Sequence, residues 1–290
     1  MMSKGHINKT SWKAGDQVWV PVSEVHSSCP DFRPFHDGFM VGGRLDSRVI
    51  DDQAGPGIAR TWNVDVNGLQ DSSGHSCTVP ISSRRFRRHA KILIFRIGDW
   101  TTEQITLNPL AASLRAQLSL LLPPDEIDVE YIRTLDELAG ALLVHGGGGK
   151  RITARQASPW GYAILVGHGR AGADAAIQFG DSWHTPDEIV KRIMGLGPGR
   201  RAFGDGVFVS LCCQTGDPSF ADGFSDGLNT TFVGPSESVH AFEAAGFVHR
   251  LFYEHFLNGE TWKNAFSRTQ AATGDFSTNF KFWEDGADRT

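Results

Sequence analysis

Two residue types capable of thiol chemistry stand 45 positions apart in this chain. His168 lies in Val-Gly-His-Gly-Arg, and the adjacent pair Cys212–Cys213 lies in Val207-Phe-Val-Ser-Leu-Cys-Cys-Gln-Thr-Gly216. A thiol near its free pKa is only a few per cent ionised at about pH 7. An imidazole beside it can take the proton and later give it to an amine leaving group. Each candidate follows an apolar run that reads as a strand, and the spacing accommodates one strand–helix–strand crossover. The two strands can then be neighbours, with both side chains at one end of the sheet. Backbone N–H groups of Gly169, of Cys213 and of the turn Gln214-Thr-Gly216 are the candidate oxyanion donors. The same residues also fit a hydrogen-bonded turn histidine and two buried small hydrophobes, and spacing alone leaves both readings open.

The elements that must position these groups follow a clear pattern after His89. Lys91-Ile-Leu-Ile-Phe-Arg-Ile97, Glu126 to Ile132, Gly161 to Val166, Val207 to Leu211 and Thr231-Phe-Val233 read as strands, several almost continuously apolar. Pro109 to Leu121 reads as a helix with Leu110, Leu114 and Leu118 on one face. Thr134-Leu-Asp-Glu137 and Thr185-Pro-Asp-Glu188 are capping boxes that open two more. A further helix is expected over 237–258 and a last one around Trp262 to Thr269. Alternating strands and helices predict an α/β sandwich with a mostly parallel sheet over residues 90–290. In such sheets catalytic groups collect beyond the carboxyl ends of the strands.

Residues 14–81 have no helical periodicity. Short β-prone runs there, including Gln17-Val-Trp-Val20 and Thr61-Trp-Asn-Val-Asp-Val66, are punctuated by Gly, Pro, Asn and Asp. They resemble an SH3-like or Tudor-like barrel spanning residues 1–89, which implies a sensor or targeting module that binds a regulatory protein. Trp12, Trp19, Phe39 and Trp62 are its groove candidates, with core packing the simpler role for any one of them. Arg84-Arg-Phe-Arg-Arg88 reads as a solvated linker face and a candidate processing site.

Composition narrows the function classes. The chain has 290 residues, a net charge of −5, 40% hydrophobic and 21% charged residues, which suits a globular protein with a sizeable core. The acidic balance argues against a nucleic-acid binder. No apolar run approaches about 18 residues, so no membrane span is expected, and the N-terminal stretch lacks the apolar region of a signal peptide. Four cysteines, at 29, 77, 212 and 213, do not form a disulfide framework or a zinc spacing, and they suit a reducing cytoplasm. Gly146-Gly-Gly-Gly-Lys150 lacks phosphate-loop spacing, with Arg151 at the hydroxyl position. Acidic residues match no calcium loop.

A strand ending in His-Gly, a helical crossover and a strand ending in Cys-x-x-Gly resemble the layout of caspase-like (clan CD) cysteine peptidases. Leu211-Cys-Cys-Gln-Thr-Gly216 is similar to the Ser-Ala-Cys-Glu-Thr-Gly string of CHAT domains, departing at Leu211 and Gln214. Arg250-Leu-Phe-Tyr-Glu-His-Phe-Leu-Asn-Gly-Glu260 is similar to their downstream helix end. The resemblance covers residues 90–275. It implies a caspase-like α/β/α sandwich, Cys213 as nucleophile with Cys212 at the small alanine position, and His168 as general base. It also implies a substrate pocket near Asp217, Asp222 and Glu237, whose acidity would pair with Arg or Lys before the scissile bond. Arg170 points the other way, toward an acidic residue. No cofactor or metal is required. The implied activity is endopeptidase cleavage of a protein or peptide through a thioester, in regulated proteolysis or defence. A catalytically silent scaffold that binds a partner through the barrel is the alternative.

Overall fold

The computed structural model describes residues 12–29, 40–49, 61–70, 76–87, 91–98, 106–145, 160–195 and 207–290. Phe39, Arg88 and the run Gly146–Lys150 lie outside the described residues. Two compact units divide the chain between Arg88 and His89.

The first unit contains β1 (Gln17–Pro21), α1 (Val22–Ser28), β2 (Met40–Arg48), β3 (Thr61–Gln70) and β4 (Ser76–Ser82). The strands pair antiparallel in chain order. Alternation sets Trp62, Val64 and Val66 of β3 into the core and leaves Asn63 and Asp65 half-buried on the other face. Trp62 is therefore a core residue, and Trp12 meets Phe86 edge-on with centroids 5.4 Å apart. Sequence periodicity predicts no helix here, yet α1 forms. Its seven residues need only Val25 buried, too little apolar repetition to register as a pattern.

The basic run is not a loose linker. Ser83–Arg85 makes a 3-10 turn, and Arg85 pairs with Glu24 at 3.0 Å. Phe86 is buried, and the Arg87 guanidinium donates to the carbonyls of Arg84 (3.2 Å) and Phe86 (2.8 Å). Arg87 also exchanges both backbone bonds with Trp19 of β1, at 2.8 and 2.9 Å. A protease needs an extended, exposed segment, so the expectation of an open processing site fails for the described part of this run.

The second unit is mixed α/β, built on a largely parallel seven-stranded sheet. Its strands are β5 (Lys91–Ile97), β6 (Ile127–Ile132), β7 (Trp160–Val166), β11 (Val207–Ser210), β12 (Thr231–Pro235), β13 (Phe280–Glu284) and β14 (Ala287–Asp288). Their order is β14-β13-β12-β11-β7-β5-β6, with β13 and β14 antiparallel. A separate three-stranded sheet, β8 (Gly169–Arg170), β9 (Ala176–Phe179) and β10 (Ser182–His184), interrupts the crossover from β7 to β11.

Helices cover both faces of the large sheet. Leu93, Phe95, Leu165, Phe208 and Phe232 share one core with α3 (Leu135–His145), α4 (Pro186–Gly195) and α5 (Pro218–Leu228). On the other face, Tyr162 packs among Phe252 and Phe256 of α6 (Ala241–Phe256) and Trp262 of α7 (Trp262–Thr273). The helix α2 (Leu107–Leu118) packs on α6 and on β5. Both capping boxes form: Thr134 and Glu137 exchange bonds of 3.2 Å, and Thr185 and Glu188 bonds of 3.0 and 3.3 Å. Among the described residues no helix is long and apolar enough to cross a membrane.

Burial, with Arg250 beside it, holds the His249 imidazole of α6 below its ordinary value of 6.5. The unfolded chain takes up a proton near that pH which the folded chain resists, so this contribution to stability is present above it and lost as pH falls. His249→Gln should make the melting temperature fall less steeply than in wild type between about pH 7.5 and about pH 5. Parallel calorimetric curves would reject that assignment.

Candidate active site

In the parallel part of the sheet, chain order runs outward from β5 in both directions, to β6 on one side and to β7, β11 and β12 on the other. The switch point lies between β5 and β7, and ligands in such sheets bind outside the strand ends at that place. Ile97-Gly98, Gly167-His168 and Leu211-Cys212-Cys213 all emerge at this end.

Pairing of β11 with β7 sets Val209 beside Ile164 and Ser210 beside Leu165. It continues one residue further, where the Leu211 N–H donates to the Leu165 carbonyl at 2.7 Å. Phe208 and Leu165 face the core shared with α3, α4 and α5. Cys212 follows that alternation into the same core, is 0% exposed, and has its sulfur 3.9 Å from the Leu165 carbonyl oxygen. Cys213 is partly exposed, and His168 is exposed. Both lie past the last residues of their strands, β7 ending at Val166 and β11 at Ser210. The two thiols are thus separated by direction: one is packed, one accessible.

Two glycines let the β7 end close on the cysteine turn. A Cβ on Gly167 would stand 3.1 Å from the Ile97 carbonyl oxygen and 3.4 Å from the Cys212 sulfur. On Gly169 it would stand 2.4 Å from the Cys213 carbonyl oxygen and 3.1 Å from the Cys212 Cβ. The residue after His168 is therefore in contact with the residues of the turn that carry both thiols. The Gln178 N–H donates to the His168 carbonyl at 3.1 Å. This makes Gly169–Ile177 a non-hydrogen-bonded pair of β8 and β9, with the Gly169 N–H aimed away from β9.

The expected donors from Gln214, Thr215 and Gly216 are not available. Their N–H groups bond the carbonyls of Glu237 (3.1 Å), Cys212 (3.4 Å) and Pro235 (2.7 Å). These bonds close the turn and tie it to the end of β12. The Cys213 N–H has no acceptor among the described residues, so it and Gly169 remain from the expected set.

Two buried hydroxyls under the turn went unnoticed in the sequence. The Thr215 hydroxyl lies 2.7 Å from that of Ser210 and 2.8 Å from the Cys212 carbonyl oxygen, and the Cys212 N–H donates to Ser210 Oγ at 3.2 Å. Ser210 and Thr215, five residues apart on either side of the cysteine pair, were the available signal. Gly216 completes the turn, because a Cβ there would stand 2.0 Å from the Gly234 carbonyl oxygen.

The three expected pocket carboxylates part company. Asp217 caps α5, accepting from the Ser219 N–H at 2.9 Å and its hydroxyl at 2.6 Å. Asp222 lies one turn further along α5, against Gly286 in the β13–β14 turn. Because β13 runs antiparallel from Phe280, paired with Pro235, that turn is at the opposite end of the sheet from Cys213. Asp222 therefore does not join the site. Glu237 does come near: its carbonyl holds the Gln214 N–H, and its exposed carboxylate has no partner among the described residues. It belongs to a loop, since α6 begins only at Ala241. Arg170 is tied down, with its Nε donating to the Asp174 carbonyl at 2.7 Å and its guanidinium 4.5 Å over the Trp183 ring. Among the described residues no group of three or more His, Cys, Asp or Glu could hold a metal ion.

Compared with known proteins, the chain matches no family model and no curated protein.

The contact of Gly169 with backbone rather than a movable side chain makes Gly169→Ala a sharp test. Overpacking there should cost about 1–3 kcal/mol in denaturant unfolding and slow alkylation of Cys213. Wild-type values for both would mean that the two loops are not in contact.

Proposed function

We propose that this chain is a cysteine endopeptidase of the caspase-like, CHAT-domain type, acting through Cys213 and His168. The observation that carries this reading is the division of the cysteine pair beyond the end of β11, one strand from the switch point, where Cys213 is accessible beside the His168 segment and Cys212 is packed away. In the proposed reaction His168 takes the Cys213 proton as the sulfur attacks the peptide carbonyl. A C–S bond forms and the carbonyl oxygen becomes an oxyanion. The N–H groups of Gly169 and Cys213 are the donors assigned to it. Collapse breaks the C–N bond, and the imidazolium gives its proton to the departing amine. Water, deprotonated by His168, then attacks the thioester, releases the carboxylate product and restores the thiol.

Glu237 supplies the negative charge for Arg or Lys before the scissile bond. The competing cation, Arg170, is engaged with Asp174 and Trp183, which favours a basic over an acidic residue. We assign the first unit to an SH3-like barrel that binds a regulatory protein, because the Trp19–Arg87 bridge returns the chain to the free edge of β1. Free thiols at Cys29, Cys212 and Cys213 suit work in the reducing cytoplasm.

Peptidyl chloromethyl ketones ending in Arg, Lys or Asp provide the test. Label should fall on Cys213 and vanish in Cys213→Ala and His168→Ala, while Cys212→Ala keeps it. Glu237→Gln should slow the Arg reagent about fivefold, the scale of an exposed ion pair, without slowing the Asp reagent. Absence of labelling in wild type, also with candidate activating proteins added, would favour the silent scaffold. For the barrel, amide exchange should protect Trp19 and Arg87 together with β2 and β3; rapid exchange at both would leave an open sheet.

A further inference from the structure

Three described residues other than glycine have positive φ: Gln214 (63°), Asn229 (50°) and Asp285 (54°). Asn and Asp tolerate the left-handed region, and both sit where a chain reversal needs it, at the end of α5 and in the β13–β14 turn. Gln has no such local compensation. Gln214 nevertheless adopts this conformation immediately after Cys213.

The conformation sends the Gln214 side chain across to the other catalytic loop. Its Oε1 accepts the Ala171 N–H at 3.2 Å, linking positions 43 residues apart. Its own N–H donates to the Glu237 carbonyl at 3.1 Å. One residue thereby joins the chain after β7, the cysteine turn and the loop after β12. Next to it, the Gly172 N–H donates to Ser219 Oγ at 3.0 Å, a second tie between the same two segments. Gly169 meets the Cys213 carbonyl on the near side of His168–Ala171, so the segment is held at both of its ends.

We infer that Gln214 is a positioning residue: through its amide oxygen it holds the His168 segment in register with Cys213, and its strained backbone is the cost of that reach. The inference rests on the Cys213–His168 reading. Asn would suit the backbone better, but it is shorter by one C–C bond of about 1.5 Å, too short to reach an N–H already at 3.2 Å. Glu keeps both the length and an acceptor oxygen. Backbone ease and clamp function thus make opposite demands at this position, and the chain carries the residue that favours the clamp.

A double-mutant cycle on the full chain tests it. Iodoacetamide alkylation of Cys213 at about pH 6.5 is followed by mass spectrometry, with and without His168→Ala, in wild type, Gln214→Asn and Gln214→Glu. Hydrogen exchange is followed across residues 168–172. In wild type, His168→Ala should slow alkylation about tenfold. In Gln214→Asn the fold should melt no lower than wild type, Ala171 should exchange about tenfold faster or more, and the effect of His168→Ala should shrink toward onefold. Gln214→Glu should restore both the protection and the dependence on His168. Unchanged exchange at Ala171 in Gln214→Asn would overturn the clamp. Faster exchange with undiminished dependence on His168 would overturn the positioning role and leave the dyad intact. No effect of His168→Ala in wild type would remove the dyad itself, and the inference with it.

Discussion

The site depends on how closely β7 and β11 can approach beyond their last ladder bond. Two parallel strands at ordinary spacing would carry His168 and Cys213 apart as soon as their chains diverge. Here the Leu211–Leu165 bond extends the pairing, and Gly169 then lets one backbone press on the carbonyl of Cys213. Any side chain at Gly169 would wedge the two loops open. The contact fixes the separation of the His168 and Cys213 segments by backbone sterics, which are stiffer than a salt bridge between long side chains.

Everything around that contact secures the turn from below and behind. Ser210 and Thr215 bury two hydroxyls, a cost met by hydrogen bonds to each other and to the Cys212 backbone. Gly216 and Gly234 bring β12 against the turn, and the Trp283 indole N–H donates to the Gly216 carbonyl at 3.1 Å. The antiparallel strand β13 thus does more than widen the sheet, since it supplies the side chain that holds the far side of the turn. Polar atoms needed for shape are satisfied internally, through the turn amides and the Ser210–Thr215 hydroxyls.

Much of this was legible where a residue pattern maps onto one local cause. Nearly continuous apolar runs gave β5, β7 and β11, and two Thr-x-x-Glu boxes gave the starts of α3 and α4. Ile127-Asp-Val-Glu-Tyr-Ile132 of β6 alternates in sequence, as suits its place at the sheet edge. The missed elements share a different character. The strands of β8–β10 are two to four residues long, with Ala, Gly and Asp between them, so no periodicity can accumulate. Phe280-Lys-Phe-Trp-Glu284 alternates only over its first three residues, and so short a run with Lys281 and Glu284 gives a weak signal. Asp222 and Glu237 show the limit for the site itself. The resemblance implies a pocket near both, whereas α5 carries Asp222 down the sheet and β12 returns Glu237 to the Cys213 end. The use of the turn amides by the Glu237 and Pro235 carbonyls was beyond reach for the same reason, because the partners come from the end of β12 and the loop after it, about twenty residues later.

Adjacent cysteines at a reactive site would ordinarily invite oxidation or competition for the base. Direction removes both problems. Cys212 continues the inward alternation of Phe208 and is enclosed by the apolar core, so a reagent in solution cannot reach it without unfolding the strand end. Cys213 leaves the strand at the same point where Gln214 turns left-handed, and the chain bends before alternation can bury the next side chain. A glycine after Cys213 would make that bend without strain. It would also lose the Oε1 that reaches Ala171, so the strain at Gln214 and the closeness of the two loops are two sides of one constraint.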